Sequence, residues 1–97
     1  MSVCAAQEPF ALQVTNDDMA PEFRTGSVII VDPTARMTTP CFAVVSLPDG
    51  TALGQLEKRA GRWQFTNPDT TTPIDLTDVV GVVVQQTRRG EPVRHYA

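Results

Sequence analysis

The chain has 97 residues, enough for one domain with one hydrophobic core. With 8 basic and 11 acidic side chains its formal net charge is -3, which argues against direct nucleic-acid binding over a broad basic face. No segment approaches the ~20 apolar residues of a membrane span, and the first ten residues lack the basic and apolar regions of a signal peptide. We therefore expect a single cytoplasmic domain over residues 1–97, with its core at 10–86 and tails at 1–9 and 87–97.

Composition favours strands over helices. The chain contains 12 Val, 3 Ile and 12 Thr, whose branched side chains suit a pleated sheet and lose rotamer freedom in a helix. Glycine and proline are spread along the sequence as single turn residues. The sequence therefore predicts a mainly β fold of short strands.

Apolar segments bounded by turn residues predict the strands in chain order. They span residues 10–15, 27–32, 42–47, 51–59, 62–66 and 79–84. Asp17 or Asp18 is suited to cap a helical turn at 19–23. Two hairpin turns are predicted, at Pro48-Asp49-Gly50 and at Ala60-Gly61, and a polar loop is predicted at 67–73.

The last predicted strand, 79–84, is apolar on both faces. Such a strand lies either at the centre of a sheet or under a partner subunit. The tail that follows carries Arg88, Arg89, Arg94 and the only histidine, His95, and we expect it to be solvated.

Few side chains are suited to catalysis or metal binding. One histidine and two isolated cysteines, Cys4 and Cys41, do not make a zinc site, and the isolated glycines do not form a phosphate-binding loop. Neither a metal nor a cofactor is expected. The only lysine, Lys58, lies in the charged run Glu57-Lys58-Arg59, which favours a protonated and exposed amine.

Several short motifs follow one another in a specific order. They are Asn-Asp-Asp-Met-Ala-Pro at 16–21, Gly-Ser-Val-Ile-Ile-Val-Asp at 26–32, Leu-Gly-Gln-Leu at 53–56, Asn-Pro-Asp at 67–69 and Val-Gly-Val-Val at 80–83. This order resembles the LexA-like serine peptidase family, which includes LexA, phage repressor C-terminal domains and UmuD, and the resemblance covers residues 10–86. It implies a LexA/signal-peptidase-like β-barrel of short, mostly antiparallel strands with one or two helical turns.

The departures from the family pattern fall on its catalytic dyad. The family's nucleophilic serine, before Met in the first motif, corresponds to Asp18, and its general-base lysine in Val-Lys-Arg-Leu corresponds to Gly54. Neither residue type can replace an activated hydroxyl or a neutral amine. Lys58 lies four residues further along the strand, about 13 Å away, and Ser27 belongs to a different element. We therefore expect no peptidase activity.

The resemblance implies association as the remaining role, as a homodimer or with an unidentified protein partner in transcriptional or DNA-damage regulation. The candidate interface lies in the apolar strand and consists of Val79, Val80, Val82, Val83, Val84 and Gln85. Alternatives are a UmuD-like accessory subunit of a translesion polymerase, a self-cleaving peptidase with a non-standard dyad, and a binder of small molecules or peptides in the former substrate groove.

Overall fold

The computed structural model describes residues 8–67 and 70–96 and confirms a mainly β fold, with eight strands and one 3₁₀ turn in these ranges. The bounds are β1 Phe10–Gln13, β2 Val28–Asp32, β3 Cys41–Leu47, β4 Gly50–Arg59, β5 Arg62–Thr66, β6 Thr71–Pro73, the 3₁₀ turn Leu76–Asp78, β7 Val79–Thr87 and β8 Arg94–His95. All six predicted strands are present. Cys4 and the Pro68-Asp69 part of the polar loop lie outside the described residues.

The strands form one antiparallel sheet in the order β1-β2-β7-β3-β4-β5-β6, and β8 pairs with the end of β7. In the described ranges β1 and β6 are the two edges of this sheet and do not pair with each other. The mainly antiparallel fold is as predicted, but the sheet is not closed in these ranges, because β1 and the three-residue β6 border a gap instead of completing a ladder.

Strand β7 lies at the centre of the sheet, between β2 and β3. Register shifts against both neighbours give β7 extra residues within each ladder. A Cβ on Gly81 would lie 2.7 Å from Val31 Cγ1 and 3.0 Å from the Asp32 backbone, so glycine permits the close approach of β2. The central position explains why this strand is apolar on both faces.

Two apolar clusters form the core. The first gathers Val14, Phe23, Ile29, Val31, Val44 and Val83. The second gathers Ala43, Val45, Leu56 and Phe65. Successive residues of β3 alternate between the two clusters, because neighbouring side chains on a strand point to opposite faces.

The segment after β1 contains the predicted turn at 19–23 but not the predicted cap. Residues 18–22 form turns, in which the Ala20 N–H donates to Asp17 O and the Phe23 N–H donates to Met19 O. The Asp17 carboxylate does not cap this turn; it accepts hydrogen bonds from Thr25, eight residues along. The N-capping prediction is wrong because the Asp17 carboxylate bonds to Thr25 across the loop instead of to a backbone N–H of the turn.

The prediction of a solvated tail at 87–97 is wrong at two positions. The Arg88 side chain is only 9% exposed, and Tyr96 packs on the first cluster. Gln86, just before this tail, is fully buried on β7. The Tyr96 ring centroid lies 5.5 Å from that of Phe23 and 5.6 Å from that of Phe42. His95, next to Tyr96, is exposed as expected. The C-terminal residues therefore close one end of the core.

This packing generates a stability prediction. Tyr96→Ala should lower the free energy of unfolding by about 2–4 kcal/mol, because it removes a ring that contacts two core aromatics. His95→Ala, at the neighbouring exposed position, should change it by less than about 0.5 kcal/mol. Urea unfolding of both variants gives the comparison, and equal effects would mean that the tail does not pack as described.

Candidate functional site

A groove of about 340 Å³ lies at the gap between the two edges of the sheet. One wall comes from β1 and the loop after it, and the other comes from β4, β5 and β6. Its lining includes Leu12, Val14, Asn16, Asp18, Met19, Ile29, Val44, Thr51, Leu53, Phe65, Asn67 and Thr72. The groove therefore combines an apolar floor with polar groups at its margins.

Asp18 reaches the groove from the loop between β1 and β2. The Asp18 N–H donates to Asn16 Oδ1 at 3.1 Å. The Asp17 carboxylate accepts from the Thr25 N–H at 3.0 Å and from the Thr25 hydroxyl at 2.9 Å. These bonds close the loop across its width, and Phe23 holds it to the core as a fully buried side chain.

Polar side chains from the C-terminal part of the chain hold the same loop from the other side. The Gln86 amide donates to Glu22 O at 3.0 Å and to the Tyr96 hydroxyl at 2.6 Å. The Tyr96 hydroxyl donates to the Glu22 carboxylate at 2.6 Å, and Arg88 donates to Pro21 O and Glu22 O. Burial, followed by the bond to Glu22, raises the pKa of Tyr96. Backbone carbonyls of the loop are thus satisfied by residues more than sixty positions away.

Gly54 is buried in β4 beside the other wall of the groove. A Cβ at this position would lie 2.4 Å from Thr66 O and 2.6 Å from Phe65 Cζ. Phe65 itself lines the groove and is 4% exposed. The Asn67 amide, which donates to Leu53 O, ties the end of β5 to β4 at this point. The packing therefore leaves no space for a side chain at position 54.

The described lining residues of the groove do not include a serine, cysteine, lysine or histidine, and Asp18 is the titratable side chain among them. Lys58 lies elsewhere on β4, exposed, with its amine 5.9 Å from the centroid of the Trp63 ring. Ser27 is buried and lines a different pocket. Within residues 8–67 and 70–96, the site is thus an open groove bordered by β1 and β6, each of which pairs with only one neighbouring strand.

The sequence was compared with models of known protein families. The family model described as Peptidase S24-like matches residues 2–84, which is most of the chain. The chain belongs to the Peptidase S24-like family. This agrees with the LexA/UmuD-like resemblance carried by the order of motifs. A search of the curated proteins found no match for this chain.

The six candidate interface residues of this Peptidase S24-like domain differ in burial. Val82 and Val83 are 3% and 0% exposed, so they are enclosed within the chain itself. The others, Val79, Val80, Val84 and Gln85, are half-buried. Val79 and Val80 pack on the two core clusters, whereas Val84 belongs to neither. Val84 is therefore the half-buried valine of this set that packs in neither core cluster.

Sequence reasoning did not identify Phe65 as a residue that shapes the site. Phe65 lies two residues after Trp63, and this spacing predicts that both side chains lie on one face of the strand, in the core. The structure buries Phe65, but only the pairing of β4 with β5 brings its ring to Gly54.

Within residues 8–67 and 70–96, no helix has the length and apolarity needed to cross a membrane.

The Asp17–Thr25 bonds predict a pH dependence. The Thr25 N–H and hydroxyl lower the pKa of Asp17 below its ordinary 3.8, so the bonded carboxylate stabilises the fold above that pH and loses this effect as the pH falls through its lowered pKa. Asp17→Ala should therefore be less stable than the parent chain at pH 7, with the difference shrinking below about pH 4. Thr25→Val, which removes only the hydroxyl, should behave in the same direction with a smaller effect. Chemical unfolding at pH 7 and pH 3 measures the difference, and an equal deficit at both values contradicts the assignment.

Proposed function

We propose that this Peptidase S24-like domain is non-catalytic and serves as an association module, forming a homodimer in transcriptional or DNA-damage regulation. The packing at Gly54 is the observation that supports the absence of catalysis. The family's general-base lysine corresponds to this position, and here even a Cβ would lie 2.4 Å from a backbone oxygen. A lysine would require the β4–β5 pair to move apart.

The other half of the dyad supports the same proposal. Asp18, at the position of the family's serine, reaches the groove with a carboxylate in place of a hydroxyl. Amide cleavage by a serine–lysine dyad needs a hydroxyl whose proton is taken by a neutral amine. The described lining provides neither a serine nor a lysine.

Intact-mass analysis during prolonged incubation between pH 7 and pH 10 tests the loss of catalysis, because a lysine base is more often neutral at high pH. We expect neither the parent chain nor Asp18→Ser to cleave itself, since a serine without a base stays unactivated. An active LexA-like peptidase assayed in parallel is the positive control. Cleavage by the parent chain would overturn the non-catalytic proposal and favour the non-standard dyad.

The double variant Asp18→Ser/Gly54→Lys tests by its stability whether position 54 has room for a lysine. It should unfold more easily than Asp18→Ser alone by at least about 1–3 kcal/mol, because the new side chain overlaps Phe65 and Thr66. Equal stability of the two variants would mean that the lysine fits and that the argument from space fails.

The association part of the proposal rests on β7. Val84 is apolar and half-buried and packs in neither core cluster, and Gln85 follows it on the same strand. Buried apolar area is the main source of dimer stability. A second copy placed over this end of β7 would cover Val84 without disturbing Val82 and Val83.

Molar mass measured by sedimentation over a wide concentration range tests the dimer. Val84→Lys should raise the dimer dissociation constant at least about tenfold, because an ammonium group is costly to bury at an apolar contact. Leu76→Lys is the control, since Leu76 is exposed and lies in the 3₁₀ turn before β7, away from the end that carries Val84. Gln85→Lys provides a second variant at the same site. A monomeric parent chain at every concentration would contradict the homodimer.

A further inference from the structure

A second pocket lies on the opposite end of the loop that carries Asp18. Its lining consists of Arg24, Thr25, Gly26, Ser27, Arg88, Arg89 and Glu91. Three arginines and one glutamate therefore line this pocket, in a chain whose formal net charge is -3. The lining residues carry an excess of positive charge even though the Asp17 carboxylate, bonded to Thr25, lies close enough to interact with Arg24.

Arg88 gives this pocket a fixed, buried charge. Its side chain is 9% exposed, its Nε donates to Gln86 Oε1 at 3.1 Å, and its Nη2 donates to two backbone carbonyls of the loop. All three acceptors are neutral. The guanidinium is therefore oriented by the fold without being neutralised by these contacts.

The carboxylate nearest to Arg88 compensates this charge only in part. Glu91 Oε1 lies 3.6 Å from Arg88 Nη1, beyond a normal hydrogen bond, and the same oxygen lies 3.8 Å from Arg94 Nη2. Arg24 and Arg89 are exposed and make no ion pair within residues 8–67 and 70–96. Buried charges in proteins are normally matched by a counter-charge in direct contact.

We propose that this pocket binds an oxyanion of the phosphate class, with Arg88 as the fixed partner at its inner side and Arg24 and Arg89 closing over it. Arg24 and Arg89 can present planar forks, which form bidentate, charge-assisted bonds with phosphate. Arg88 can add a single donor nitrogen, Nη1, because its Nε and Nη2 are already bonded within the chain. Gly26 leaves open space at the pocket, since a Cβ there would meet nothing within 4 Å. The ligand is either free phosphate or a phosphoryl group on a small molecule.

Direct binding of inorganic phosphate, measured by calorimetry at constant ionic strength set with chloride, tests the proposal. We expect saturable binding to one site. Arg24→Gln/Arg89→Gln should weaken it at least about tenfold, because two charge-assisted partners are lost while Arg88 and its structural bonds stay in place. The matched control is Arg59→Gln/Arg62→Gln at the β4–β5 hairpin, which changes the net charge by the same amount. Its affinity for phosphate should stay within about twofold of that of the parent chain, because only the long-range, screened attraction of the whole protein for the anion changes.

Each outcome decides the proposal. The absence of saturable binding, or an equal loss in both double variants, would overturn it, because phosphate then acts only through general charge. Glycerol phosphate distinguishes the two sources. If glycerol phosphate binds as tightly as inorganic phosphate, the ligand is a phosphoryl group on a small molecule. If glycerol phosphate binds much more weakly, the ligand is the free anion.

Discussion

The buried ring of Phe23 is the contact on which both candidate sites depend. It is fully enclosed, with its centroid 4.8 Å from that of Phe42, and it fixes the loop between β1 and β2 to the core. One end of that loop presents Asp18 to the groove, and the other end presents Arg24 to the second pocket, which Arg88 and Arg89 also line. A displacement of Phe23 would therefore alter both sites together.

The C-terminal residues complete this anchor. Gln86, Arg88 and Tyr96 donate hydrogen bonds to the carbonyls of the loop and to the Glu22 carboxylate. The Gln86 and Arg88 side chains are buried, so without these acceptors their donors would be left unpaired away from water. A polar network of this kind favours one arrangement of the loop, because any other leaves buried groups unpaired. The same structural role leaves the charged guanidinium of Arg88 at the pocket that it lines with Arg24 and Arg89.

The local signals in the sequence predict the strands well, and long-range contacts account for what they miss. Alternation places Phe10, Leu12 and Val14 towards one side of β1, and the turn residues mark both hairpins. The burial of Gln86 and Arg88 depends on a loop more than sixty residues away, which a local pattern cannot register. The order of motifs points to Asp18 and Gly54, but the space at Gly54 is decided by the ring of Phe65 on the next strand.

An open sheet and a catalytic site make different demands on this domain. The gap between β1 and β6 leaves strand edges beside a mainly apolar groove, and in general such edges are suited to pairing with an extended segment. Catalysis makes a stricter demand, because a nucleophile and a base must stand at fixed positions within hydrogen-bond reach. Tight packing of Phe65 against Gly54 leaves no space for a side chain at position 54, although the groove beside it is open. The groove and the packing at position 54 are therefore set by different contacts, the first by the gap between β1 and β6 and the second by the ring of Phe65.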